Sequence, residues 1–82
     1  MGTIKFKIDN PKDNEIRDTI KLAYEALKER GYDPVSQFLG YIISDDPTYI
    51  TGYNKARSAV SKYDRDELLE VILKEYLSKF ES

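Results

Sequence analysis

Each of the three prolines in this 82-residue chain stands directly after an asparagine or an aspartate: Asn10-Pro11, Asp33-Pro34 and Asp46-Pro47. The short polar side chain can accept from the first backbone N–H groups of a helix. Proline's fixed φ suits the first helical position, where its missing N–H is no loss. Asp64 gives a further start without proline, and Glu67 three residues on completes a capping-box pattern. These signals cut the chain into short helices. They predict an all-α fold, a small bundle of four to five helices over residues 11–82 behind an extended arm at 1–10.

The apolar spacing fills in the helices. Ile16, Ile20, Ala23, Tyr24 and Leu27 form one stripe, and Gly31 supplies a left-handed stop, so the first helix covers about 12–30. From Asp33-Pro34 to Ser44, apolar residues cover more than half of a helical circumference, which predicts a central, buried helix. A strand over 38–43 competes, because periodicity does not settle so short a run; the cap favours helix. Pro47 opens a short helical turn over 47–50, and a third helix over 54–62 turns Ala56, Ala59, Val60 and Tyr63 inward. At the N-terminus, Ile4, Phe6 and Ile8 alternate with Thr3, Lys5 and Lys7, the pattern of a weak strand or an ordered arm.

The last helix, at 65–80, carries the strongest constraint on assembly. Leu68, Leu69, Val71, Ile72, Leu73, Tyr76, Leu77 and Phe80 span about 240° of its circumference, roughly twice what one core face needs. A chain this short does not cover all of that surface, and without cysteine it has no disulfide to support a small core. The excess predicts a homodimer about a two-fold axis. Its interface is placed on Leu69, Ile72, Leu73, Tyr76 and Phe80 with Phe38, Leu39, Tyr41 and Ile42 of the second helix.

Composition removes most chemistry. With no His and no Cys there is no thiol nucleophile, no zinc-thiolate set and no imidazole base. Ser36, Ser44, Ser58 and Ser61 have nothing of that kind to activate them, and no Gly-rich phosphate loop occurs. The chain is read as no enzyme, with no cofactor and no metal. The acids Asp45, Asp46, Asp64, Asp66 and Glu67 lack calcium-loop spacing and are explained by turns and caps. Lys55, Arg57, Lys62 and Arg65 invite a helix-turn-helix reading, so a DNA-binding regulator is the alternative. A net charge of −2 and interleaved signs make nucleic acid an unlikely partner. Among the tyrosines, Tyr41 and Tyr49 read as structural, while Tyr32 and Tyr53 are more open to a recognition role. No apolar run approaches the roughly 18 residues of a bilayer span and no signal peptide opens the chain, so no membrane insertion and an intracellular location are expected.

Beyond these residue-by-residue readings, the order Gly31-Tyr32-Asp33-Pro34, Gln37, Gly40-Tyr41, Ser44, Asp46-Pro47-Thr48-Tyr49-Ile50, Asn54, Ala56-Arg57 and Lys62-Tyr63-Asp64-Arg65-Asp66-Glu67 resembles the IreB family of regulatory phosphoproteins. The likeness runs from the arm to about Leu77. It implies a cytoplasmic, all-helical homodimer of Gram-positive bacteria. Such a protein is the substrate of a transmembrane Ser/Thr kinase that senses the cell wall, and acts on a downstream protein the sequence does not identify. The resemblance puts the phosphoacceptor at Thr3. Asp45 stands where the family usually has glycine in a Gly-Asp-Pro turn, and aspartate tolerates the left-handed conformation well enough to keep that turn.

Overall fold

The computed structural model describes residues 10–81. Thr3 and the expected strand at 3–8 lie outside them. All four start signals open helical elements, each with its own capping chemistry. Helix α1, Pro11–Glu29, begins at Asn10, whose Oδ1 accepts from the N–H groups of Lys12 at 2.8 Å and Asp13 at 3.4 Å. It ends in a Schellman motif: Gly31 has φ 83°, its N–H donates to Lys28 O, and the Tyr32 N–H reaches back to Leu27 O at 2.8 Å. Helix α2, Pro34–Ser44, follows Asp33, whose carboxylate takes the Ser36 hydroxyl at 2.7 Å instead of a backbone N–H.

The connection after α2 is irregular. Asp45 closes the helix at φ 60°, the left-handed cap expected of the turn. Asp46 Oδ1 then accepts from both the N–H and the hydroxyl of Thr48, at 3.0 and 2.7 Å, and starts a 3-10 turn at Pro47–Tyr49. A second 3-10 turn, Tyr53–Lys55, runs into α3, Ala56–Val60. The helix expected over 54–62 is therefore only five residues long. Asn54 and Lys55 both have positive φ, 55° and 60°, and no α-helix passes through that conformation. Helix α4, Arg65–Leu77, is followed by a 3-10 turn at Ser78–Phe80. At its start the Glu67 carboxylate accepts from the Asp64 N–H at 3.0 Å, as a capping box requires.

Among the described residues every regular element is helical. The core forms where α1 meets α3 and α4, with Ile16, Leu27, Val60, Leu68 and Val71 essentially sealed from water. Ala23, Ala26 and Ala56, also fully buried, let the helices approach closely. Tyr24, expected in the α1 stripe, is instead about half exposed, and Ala26 takes the inner position.

The expectation that α2 is central and buried needs correction. Only Tyr41 is fully buried, and Phe38 and Ile42 rest partly against the core. Val35, Leu39 and Ile43 are 74, 57 and 72% exposed. The alanine-lined contact closes the core without them, which leaves α2 on its flank.

Candidate interaction surface

The circumference of α4 divides in two. Leu68 and Val71 face the core. Leu69, Leu73, Tyr76 and Phe80 are 37, 45, 55 and 71% exposed, Leu77 is also open, and Ile72 is half-buried at the boundary. At roughly 100° per residue, the open residues from Ile72 round to Leu77 occupy about 140°. Tyr76 and Phe80 pack edge to face, centroids 5.7 Å apart, so the far end of this surface is aromatic and ordered. On α2, Val35, Leu39 and Ile43 recur every fourth residue and make a second exposed row.

Of the residues placed at a dimer interface by sequence, Leu69, Ile72, Leu73, Tyr76 and Phe80 lie together on α4, and Leu39 is exposed on α2. Tyr41 does not belong with them: it is 4% exposed and packed inside its own chain, where burial pushes its hydroxyl above the ordinary tyrosine value. Phe38 and Ile42 are shared between core and surface. Val35, Ile43 and Leu77, outside that set, are exposed as well, at four-residue spacing from Leu39 and Leu73.

Ion pairs mark where α1 meets α4. Lys12 pairs with Glu67, Arg17 with Glu75 at 2.8 Å, and Lys74 with Asp13 at 2.9 Å and Glu70 at 3.6 Å. The Lys12 ammonium, with the Asp64 N–H, holds the Glu67 carboxyl below its ordinary range, and Glu67 in turn raises Lys12. Asp13 similarly raises Lys74. Each partner is at least partly solvated, so these contacts fix register more than they stabilise.

Three other polar side chains bond backbone carbonyls of the last turn of α2 and the irregular connection after it. Gln37 Nε2 donates to Tyr49 O at 2.9 Å, Arg57 Nε to Ile50 O at 2.9 Å, and Arg65 Nη1 to Ile42 O at 2.9 Å. Arg65 also pairs with Asp45 at 3.3 Å. Two of the four cations that suggested a nucleic-acid face are thus occupied within the chain. The acidic residues also have local tasks: Asp46 caps Thr48, whose hydroxyl and then N–H lower the Asp46 pKa. The tyrosines follow suit. The Tyr49 ring fills the space a side chain would need at Gly40, Tyr63 donates to Glu15 at 3.2 Å, and Tyr53 lies under the Arg30 guanidinium, 5.3 Å away. Tyr32 is half exposed. Between the end of α2 and the start of α4 is an open hollow of about 610 Å³, walled by Ile42, Pro47, Tyr63 and Leu69, with Asp45, Asp64 and Asp66 on its lining. No described helix is long and apolar enough to cross a membrane.

A family model described as IreB regulatory phosphoprotein matches residues 1–78. A UPF0297 protein of Ruminiclostridium cellulolyticum is 55% identical over 75 residues, covering 92% of this chain and 85% of the relative. Another UPF0297 protein, from Acetivibrio thermocellus, is 51% identical over 77 residues, covering 94% and 86%.

Proposed function

Because this chain belongs to the IreB family of regulatory phosphoproteins, we propose that it is a non-catalytic, cytoplasmic interaction protein that works as a homodimer and is controlled by phosphorylation of Thr3. The observation that carries the dimer is the open apolar arc of α4. Leu73, Tyr76 and Phe80, with Leu69 and Leu77 beside them, make one contiguous exposed apolar patch, the kind of surface that marks an interaction site. A second copy placed about a two-fold axis covers the same residues on both chains with one contact. The arm at 1–10 and the helical body at 11–82 then have separate tasks, the body assembling and the arm being modified.

The kinase is a membrane Ser/Thr kinase of cell-wall stress signalling. Its reaction moves the γ-phosphoryl group of ATP to Thr3 Oγ, which loses its proton as ADP leaves. The product gains about −1.5 to −2 charges next to Lys5 and Lys7, enough to change what the arm contacts.

Two measurements test this reading. Sedimentation at micromolar concentration should give twice the chain mass, and a monomer would overturn the assembly. Incubation with a cognate kinase and ATP, followed by mass spectrometry, should find the mark on Thr3. A mark elsewhere, or none, would overturn the regulatory site.

A further inference from the structure

We propose that the hollow between the end of α2 and the start of α4 is the docking site of the chain's own N-terminal segment, residues 3–8, and that phosphate on Thr3 loosens this docking. The second half rests on the phosphorylation proposed above; the first does not.

Reach is the first argument. Lys12 pairs with Glu67, and Glu15 accepts from the Tyr63 hydroxyl, so α1 begins beside the stretch that carries Tyr63 and Asp64 on the wall of the hollow. Thr3 precedes Asn10 by seven residues, about 23 Å of extended chain. That is ample to cross from this wall to Ile42 and Pro47 on the other side.

Chemistry is the second. Ile4, Phe6 and Ile8 alternate with Thr3, Lys5 and Lys7, so an extended segment has an apolar face and a basic one. The hollow has the complement, with Ile42, Pro47 and Leu69 apolar and Asp45, Asp64 and Asp66 acidic. Its one guanidinium, Arg65, is already bound to Ile42 O and Asp45. Asp64 and Asp66 therefore have no cation from the lining itself. With the apolar face down, the long stems of Lys5 and Lys7 bring their ammonium groups back to the carboxylates. A phosphate on Thr3 lies on that same face. It competes for Lys5 and adds negative charge beside the acids, so it works against docking from both directions. Ile42 and Leu69, placed at the dimer interface by sequence, line this hollow and face the arm, while the open face of α4 from Ile72 to Phe80 is left to the second copy.

The chain has no cysteine, so Gly2→Cys gives a unique attachment point for a nitroxide label on the whole protein. The label is read by the loss of amide signal it causes nearby in ¹⁵N-labelled chain diluted with excess unlabelled chain. Selective loss at Ile42, Asp45, Tyr63 and Leu69, with Val35 and Lys28 little changed, is the expected result. Adding Asp66→Lys should weaken that loss about threefold, the scale of one exposed ion pair reversed. Signal loss that is uniform, absent, or centred on residues 73–80 overturns the docking site. Phosphothreonine at position 3 should reduce the selective loss by at least about threefold; an unchanged pattern overturns the switch. If no kinase marks Thr3 while the labelled arm still causes the selective signal loss at the hollow, the regulatory reading fails and the docking stands.

Discussion

The two sides of α4 share a sequence style and differ in fate. Leu68 and Val71 on the inner side are sealed, whereas Leu69, Leu73 and Tyr76 on the outer side remain in water. Leucine and valine alone do not decide this. Burial follows from what stands opposite, and within the chain α1 and α2 pack against α4 and leave its outer side open. The lesson is that an apolar arc measures the surface a helix must hide, while the neighbours within the chain determine how much of it they hide themselves.

That contrast can be broken by substitution. Leu68→Ala, on the sealed side, should cost about 3 kcal/mol, read as a fall of roughly 12–24 °C in melting temperature; a loss below 1 kcal/mol would mean that the inner side is not the core. Ile72→Asp, at the boundary, should lower both the melting temperature and the sedimentation mass, because a charge there faces apolar groups on either side. If melting and mass are both unchanged, α4 is not the dimer helix.

Acid sharpens the boundary between the sides, where Glu67 pairs with Lys12. The folded-state pKa values of Glu67 and Asp46 are lowered, the first by Lys12 and the Asp64 N–H, the second by the Thr48 hydroxyl and N–H. Folding therefore releases protons, so their contribution is complete above the ordinary carboxylate range of about 4 and disappears as the pH falls through the lower folded values. Melting temperature should decline in that window, and Glu67→Gln should make the decline shallower. An identical acid profile in wild type and variant would remove Glu67 from the account. The smallest effect on the fold itself is expected from Leu73→Asp. This outer-side change should leave helix content and the core intact, shifting protomer stability by less than about 0.5 kcal/mol, yet halve the sedimentation mass. A core that melts with Leu73→Asp would show the two sides to be one.

Much of this architecture is legible in the residues. Asn10-Pro11, Asp46-Pro47 and the Asp64/Glu67 pair marked helix starts because capping is local chemistry, settled within three or four residues. Gly31 marked a stop for the same reason, and Asp45 adopts the left-handed turn despite its side chain. The third helix is shorter than its spacing predicts because Asn54 and Lys55, neither of them a glycine, adopt positive φ. The flank position of α2 does not show in its residues because the helix is apolar almost all round, with Val35 and Ile43 more apolar than the buried Tyr41. Only the packing of other helices distinguishes them. The outer residues of α4 are legible as excess surface, while the hollow beside Leu69 is not, since it is made by side chains from two separated stretches, 41–47 and 61–69.

Gln37 and Arg57 donate to carbonyls of the connection after α2, Arg65 donates to one in the last turn of α2 itself, and Gly40 yields its space to Tyr49. These are also among the residues that carry the resemblance to the IreB family. The family's fingerprint is therefore largely its stitching. A search keyed on it retrieves molecules with the same tailoring, and each of their errands has to be established from the surfaces that the seams leave free.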